Sequence, residues 1–283
     1  ALGVVLGAPV MTLGTARMDR KSLLVGLMAL FVIGNLISAL APNYETMLAG
    51  RIVSSLMHGA FFGVGSVVGA GLVPKEKQAR AIALMFSGLA ISNIIGVPLG
   101  TYIGQMFGWR LSFGLISALG LLTALFLSFA LKPQAADPLS GIKQELAVLK
   151  RARVWLALAT TTFGFGGVFV VWTYIAPILE TATGLTPIAI TIVLFIYGIG
   201  LTLGNALVAR WVDRSLTRAL IGILVALAAI MAVFSVTMVS PLLATITIFL
   251  LGFAAFGTIP PLQMAIMAAA EGAPNLASAL NIA

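Results

Sequence analysis

The sequence has no cysteine, one histidine and few charged residues, which make up 8% of its 283 positions. Without cysteine there is no disulfide, thiolate metal site or cysteine nucleophile. One histidine and eight acidic residues leave little material for a metal cluster, so we expect neither a metal site nor catalytic residues. A soluble domain carries charge on about a quarter of its residues. The surface of this chain must therefore face lipid.

Hydrophobic residues, in contrast, make up 60% of the sequence, and its mean hydropathy is +1.13. They form runs of about 20 residues, the length at which a helix crosses a bilayer. Because lipid cannot pair an exposed backbone group, such runs must be helices. The sequence predicts an all-α membrane protein with apolar segments at 1–15, 22–42, 46–73, 79–107, 111–131, 154–179, 186–211, 218–239 and 241–269, and another that begins near 276.

The basic residues are concentrated in alternate loops. These loops hold 14 of the 16 basic residues, namely Arg17, Arg20, Lys21, Lys75, Lys77, Arg80, Lys132, Lys143, Lys150, Arg151, Arg153, Arg210, Arg214 and Arg218. Loops rich in Lys and Arg stay in the cytoplasm, so we expect this side, called the basic end below, to be cytoplasmic. Orientation in the membrane, and not nucleic-acid binding, then accounts for the net charge of +8.

The longest loop, 132–153, divides the chain into two predicted helix bundles, 1–131 and 154–283. In this loop Ile142, Leu146 and Leu149 recur at helical spacing with basic residues between them. The pattern is typical of an amphipathic helix on the membrane surface, although a solvated linker fits the charges equally well. Since Ala1 lies inside one apolar run and Ala283 follows the start of another, we expect an incomplete chain.

A weak repeat relates the two bundles. Ala16-Arg17-Met18-Asp19-Arg20 follows the first span, and Ala209-Arg210-Trp211-Val212-Asp213-Arg214 follows the 186–211 span. Two halves with a connector on one side of the membrane are the layout of a transporter built from repeats.

Four motifs in this order resemble those of the major facilitator superfamily. Arg51 and the loop 74–80 match the fourth-helix Arg and the loop that follows it. Gly96-Val97-Pro98-Leu99-Gly100-Thr101 is similar to the fifth-helix antiporter motif Gly-Pro-X-X-Gly-Gly, with the proline displaced by one. Gly108-Trp109-Arg110 resembles the outer turn, and 209–214 resembles the loop motif Gly-X-Leu-X-Asp-Arg, with the glycine replaced.

The resemblance spans the chain and is to the drug:proton antiporters with arabinose-efflux-like members. It implies helices two to the start of eleven of a twelve-helix, two-half bundle. It also implies that Asp213, Arg214 and Arg218 form a gate, in which an Asp-Arg pair at a helix end latches one conformation. Plain topological charge is the alternative. In the first half the corresponding loop is shortened, and Asp19 lies near the motif's Asp position.

Arg51 is predicted to be the most informative side chain for function, because a charged side chain within a membrane span costs at least about 2.5 kcal/mol of insertion free energy. Ser55 and His58 follow it on the same helical face, so we expect the three to serve proton coupling or the electrostatics of a cavity. Two alternatives remain. Arg51 could snorkel to the near interface, and His58 could be a hydrogen-bonded structural residue rather than a proton carrier.

Other polar groups within spans are candidates for the lining of a substrate cavity, namely Asn93, Tyr174, Tyr197, Asn205 and Gln263. An aromatic belt at the membrane interface is the alternative for Trp172 and Tyr174. Gly96, Gly100 and Gly104 repeat at every fourth position and predict a close helix seam, which Pro98 would loosen. Pro260-Pro261 should break the tenth helix just before Gln263.

The sequence thus predicts a secondary transporter that exports small molecules such as drugs or sugars, driven by protons through alternating access. Its expected partners are the bilayer, the substrate and protons, with no other cofactor, and a monomer is expected. A solute:proton importer or a uniporter would share the fold. An intramembrane enzyme is the distant alternative. It is disfavoured because Ser66 and His58 lie eight residues apart, about 12 Å along a helix, which is too far for a nucleophile and its base.

Overall fold

The computed structural model describes residues 2–15, 18–132 and 142–283, with the backbone alone at positions 2, 97, 98, 101, 105 and 187. Within these ranges the chain forms α-helices joined by short turns. They are α1 Leu2–Gly14, α2 Arg20–Ala39, α3 Tyr44–Gly71, α4 Gln78–Ile91, α5 Val97–Phe107, α6 Trp109–Ala130, α7 Ile142–Val148, α8 Ala152–Thr181, α9 Pro187–Val212, α10 Leu216–Thr237, α11 Pro241–Gly257, α12 Ile259–Ala269 and α13 Pro274–Ile282.

The described chain holds eight helical stretches that are long and apolar enough to cross a membrane. They are Arg20–Ala39, Tyr44–Gly71, Lys75–Gly96, Trp109–Ala130, Ala152–Thr181, Ile188–Val212, Leu216–Thr237 and Pro241–Ala269. Gly3–Gly14 is a shorter apolar helix. The predicted all-α membrane fold is confirmed. The helix expected over 154–179 runs on to Thr181 and contains Pro177.

The helices begin and end where local chemistry provides partners for the backbone. The carboxylate of Asp19 accepts the Ser22 N–H at 3.0 Å and caps α2. Thr186 caps α9 in the same way, through the Ala189 N–H. Side-chain acceptors at these positions satisfy donors that the first turn of a helix leaves free. Between α5 and α6, Gly108 has φ +89°, a conformation that side chains disfavour.

The span predicted over 79–107, called the fifth span below, is irregular in the middle. A 3-10 turn, Lys75–Lys77, precedes α4, and a π-helical turn, Ser92–Gly96, separates α4 from α5. Pro98 follows and has no N–H for a helical bond to Ile94, so the regular ladder cannot continue there. Turns of this kind inside helices often lie at functional positions.

The span predicted over 241–269, called the tenth span below, is broken as expected, two residues before the first of the two prolines. Helix α11 ends at Gly257 and α12 begins at Ile259, with Thr258 between them. Pro260 and Pro261 thus lie in the first turn of α12, and neither has an N–H to donate to the carbonyls of Phe256 and Gly257. The break precedes the prolines because the carbonyls that lose a hydrogen-bond donor lie in the preceding turn.

The chain divides into two compact units. One comprises Ala1–Val68, Val97–Trp155 and Ile266–Ala283, and the other comprises Gly69–Gly96 and Leu156–Ala265. The first unit has its core between α2 and α3, with Leu23, Leu27 and Val64 among its buried residues. The core of the second lies around α9 and α11. The predicted bundles 1–131 and 154–283 and the connector 132–153 stay predictions.

Candidate functional site

Within the second unit, Asp213 joins the end of α9 to the start of α4. Its Oδ1 accepts the N–H of Ala79 at 2.9 Å, and its Oδ2 lies 3.1 Å from Nε of Arg80. The Asp213 side chain is 3% exposed. A carboxylate is disfavoured at the C-terminal end of its own helix but favoured at the N-terminus of another. The contact with α4 therefore offsets the unfavourable position on α9.

Burial raises the pKa of the Asp213 carboxyl above its ordinary value. The hydrogen bond from Ala79 and the charge of Arg80 act in the opposite direction. Arg214 and Arg218, the other predicted members of the gate, are exposed. The acid expected to work with Arg214 is thus paired with Arg80 instead, because α9 ends with Asp213 directed at the first turn of α4.

About two turns further into the membrane along α9, Asn205 continues the contact between α9 and α4. Its Nδ2 donates to the carbonyl of Ala83 at 2.6 Å, and the residue is 1% exposed. Along α4 the small residues Ala79, Ala83 and Ala90 are buried in the same core as α9. Small residues allow two helix backbones to come close together. This alanine strip is a close helix seam that the sequence analysis did not name.

In the first unit, α13 packs tightly on α3. A Cβ placed on Gly63 would lie 2.5 Å from the backbone of Ala279, and one on Gly59 would lie 2.7 Å from Cβ of Ala8 in α1. The Oγ of Ser278 donates to the carbonyl of Gly63 at 3.0 Å. Only glycine permits this approach, so Gly63 decides how closely α13 can lie against α3.

The connector reaches the same helix. Glu145 of α7 is 1% exposed, and it accepts the Leu276 N–H and the Asn275 Nδ2–H, each at 2.8 Å. Val148 is buried beside it, whereas Ile142 and Leu146 are each 44% exposed. The apolar stripe predicted to meet the membrane surface is therefore on the free side of α7, and its other side packs against the protein. The membrane contact itself stays a prediction.

Arg51, Ser55 and His58 lie along α3 as expected, but no hydrogen bond or ion pair joins them among the described residues. The exposed guanidinium of Arg51 lies 5.5 Å from the ring centroid of Phe113 in α6. Ser55 donates to the carbonyl of Ile52 in its own helix at 2.8 Å. The half-buried ring of His58 lies 4.9 Å from that of Phe62. The three share a face of α3 without forming a network.

The predicted cavity residues fall into two groups. Tyr197, Asn205 and Gln263 are buried in the second unit, and the Tyr197 ring stacks on Trp172 with 4.9 Å between centroids. Asn93 and Tyr174 are exposed, and Asn93 donates to the carbonyl of Leu89 in its own helix. The structure thus brings Tyr197 together with Trp172, for which the sequence left an aromatic belt and substrate stacking as alternatives.

The glycine strip of the fifth span is open over part of its length. A Cβ on Gly100 would meet no atom of the described residues within 4 Å, and one on Gly96 would meet only Ser92 of its own helix. Ser112 of α6 approaches the strip, since its Oγ donates to the carbonyl of Gly100 at 3.1 Å and lies 3.4 Å from a Cβ built on Gly104. Pro98 is described by its backbone alone.

Sequence reasoning missed Glu145, Ala79 and Ala83. The spacing of Ala79 and Ala83 is a small-xxx-small pattern, and this signal could have identified the α4 strip. Glu145 could have been singled out as one of only two acidic residues, with Asp137, in the sequence of a strongly basic connector. Its partners, Asn275 and Leu276, lie 130 and 131 residues away, and no local pattern identifies them.

Comparison with known proteins identifies the family of this chain. The sequence model of the Major Facilitator Superfamily matches residues 1–283. The chain belongs to the major facilitator superfamily. It is 45% identical over 282 residues to the inner membrane transport protein YdhP of Escherichia coli (strain K12). The match covers all of this chain and 72% of YdhP. It is 30% identical over 220 residues to a chloramphenicol resistance protein of Streptomyces lividans, covering 76% of this chain and 56% of the relative.

Solved structures show the same fold. The human organic anion transporter MFSD10 superposes with a TM-score of 0.79 at 15% identity, covering 99% of this chain and 72% of that one. The proton:xylose symporter XylE gives a TM-score of 0.77 at 15% identity, covering 99% and 74%. As a facilitator chain, this protein is a multi-pass membrane transporter and not an enzyme. In the facilitator numbering α1 and α9 are helices two and eight, and α4 and α13 lie in helices five and eleven.

Proposed function

We propose that this facilitator protein exports small molecules across the bacterial inner membrane in exchange for protons, with the basic end in the cytoplasm. The positive-inside rule supports this orientation. Export is supported by the fifth-helix motif at Gly96–Gly100 and by the relative whose name records chloramphenicol resistance.

One observation carries the proposal for alternating access. In each compact unit, a helix that precedes the connector contacts a helix that follows it, and the contact lies toward the basic end. Asp213 and Asn205 of α9 hold α4 in one unit. Ser278 of α13 holds α3 in the other. Polar contacts that close one side of a transporter must break when that side opens, so these bonds have the character of gates.

Arg51 and His58 are the proposed coupling residues. Both lie on the less buried face of α3, where a charge and a titratable ring can respond to a proton or to substrate. The cation–π contact between Arg51 and Phe113 keeps the guanidinium at the side of α6 without an acidic partner among the described residues. A charge held in this way remains available to a moving ion or substrate.

Inverted membrane vesicles provide the test. Candidate substrates, including chloramphenicol, dyes and sugars, are offered with and without an imposed pH gradient. We expect gradient-driven accumulation that Arg51→Ala abolishes and Phe113→Leu changes less than threefold, with both variants inserted in the membrane. Normal transport by R51A would contradict the role of Arg51, and uptake in the opposite direction would identify an importer.

A further inference from the structure

Two buried carboxylates lie at the basic end of the described chain, and each accepts a backbone N–H at the start of another helix. Asp213 accepts an N–H in the first turn of α4, from Ala79. Glu145 accepts an N–H in the first turn of α13, from Leu276. Each has a second polar partner, Arg80 for Asp213 and Asn275 for Glu145. The other described acids, such as Glu76 and Glu271, are at least partly exposed.

The weak repeat gives a reason for the position of Glu145. Helices α4 and α13 lie in the fifth and eleventh spans, six apart, and Asp213 at the end of the eighth span serves the fifth. The residue expected to serve α13 would come from the end of the second span, where Asp19 lies. Asp19 instead caps α2 through Ser22. The shortened loop therefore leaves the start of α13 without its loop carboxylate, and the connector supplies one.

Arg151 provides a second attachment in the same connector. Its Nη1 donates to the carbonyl of Glu271 at 2.8 Å and lies 3.5 Å from that of Ala269, the last residue of α12. A cation at the C-terminal end of one helix and an anion at the N-terminal end of the next are both favoured by the helix dipoles. Glu145 and Arg151 thus hold the turn between α12 and α13 from its two ends.

We propose that Glu145 is a positioning residue of the transport cycle: with Arg151, it fastens the connector to the α12–α13 turn and must release α13 before the basic end opens. The idea rests on the proposed alternating-access function. Leu276, held by Glu145, is two residues before Ser278, which bonds to Gly63 of α3. Loss of the Glu145 contact should therefore free the first turns of α13 from α3.

The absence of cysteine allows a direct test in the full-length protein. Ser278→Cys introduces a thiol of nearly the same shape, buried against α3 in the closed contact. A membrane-impermeant maleimide, applied at the basic end in inverted vesicles, reacts with this thiol only when α13 moves away. We expect E145A to raise the labelling rate about tenfold, the change that 1.4 kcal/mol produces in an equilibrium constant. E145Q keeps the side-chain length and should give a smaller rise.

Glu271→Gln is the matched control, because it removes the same charge from an exposed side chain in the adjoining turn. We expect it to leave labelling unchanged. Equal labelling in E145A, E145Q and the parent would overturn the proposal, as would an equal rise in E271Q.

A second reporter covers the case in which the thiol perturbs α13. Spin labels at the exposed positions 143 and 271 report the separation of the connector from the turn. We expect a longer and broader distance in E145A, and an unchanged distance would also overturn the proposal. Neither measurement needs a substrate. Increased labelling without transport of any compound would thus reject the proposed function and leave the role of Glu145 supported.

Discussion

The side-chain amide of Asn205 bonds to the backbone carbonyl of Ala83 at 2.6 Å, although the two residues are 122 positions apart. The bond is buried between α9 and α4, so no water can replace it while the helices are in contact. A buried hydrogen bond contributes about 1 kcal/mol, and more is lost when a partner is left unsatisfied.

Asn205→Ala should therefore weaken the α4–α9 contact and lower the initial rate of transport several-fold. Ser87→Ala is the control, because Ser87 of α4 donates only to the carbonyl of Leu84 in its own helix and is in no proposed site. Transport rates in vesicles with equal amounts of inserted protein measure the difference. Equal losses in both variants would show that the Asn205 bond has no special role.

Asp213 should make the α4–α9 contact dependent on pH. Its pKa is raised in the closed contact, so this state binds a proton more tightly than one in which the carboxyl is hydrated. The state with the higher pKa is favoured as pH falls. Acidification of the basic side from above the raised pKa toward the ordinary value of 3.8 should thus favour closure.

Spin labels at the exposed positions 77 and 218 would follow this contact. We expect their distance distribution to narrow as pH falls in the parent protein. Asp213→Asn, which can still accept the Ala79 N–H, should stay closed at every pH, and D213A should broaden the distribution. If the α4–α9 contact of the parent protein opened on acidification, the predicted direction of the pH dependence would be wrong.

Gly63→Ala should keep α13 from closing on α3. The added methyl group would lie 2.5 Å from the Ala279 backbone, which cannot move as a flexible side chain can. Labelling of Cys at position 278 should rise, and transport should fall at least tenfold.

Gly69→Ala is the control on the same helix, since a Cβ there meets nothing within 4 Å. We expect its labelling to equal that of the parent. Protection of the thiol in G63A would mean that α3 and α13 can close without a glycine at their contact.

Asp19 should stabilise only its own helix. Its pKa is lowered, first by its hydrogen bonds from Ser22. An acid with a lowered pKa adds stability above its ordinary value, here 3.8, and loses it as pH falls through the lowered pKa. Asp19→Ala should cost about 0.5–2 kcal/mol, the usual range for a lost N-cap.

Thermal unfolding in detergent at pH 7 and at low pH would measure this loss, with Asp19→Asn as a control that caps without titrating. The gap between the parent and D19A should shrink at low pH, while D19N should stay nearly constant. A tenfold loss of transport in D19A would contradict the purely local role.

Hydrophobic runs were sufficient to place the spans, because each must match the thickness of the bilayer and nothing shorter can cross it. Prolines located the break near Thr258 to within one turn. The partners of Asp213 and Glu145 were beyond prediction, since a carboxylate at a helix end can cap any N-terminus that the fold brings near. Helical spacing placed Arg51, Ser55 and His58 on one face of α3, but spacing does not say which neighbouring helix each side chain meets.

The break between Gly257 and Ile259 has a mechanical consequence for the tenth span. In an uninterrupted helix, bending breaks hydrogen bonds that lipid cannot replace. Here Pro260 and Pro261 have already removed two of those bonds, so a change of angle at Thr258 loses little further bonding. The hydroxyl of Thr258 donates to the carbonyl of Ala255 in the last turn of α11. A change of angle at Thr258 therefore costs the span less hydrogen bonding than a change of angle elsewhere along it.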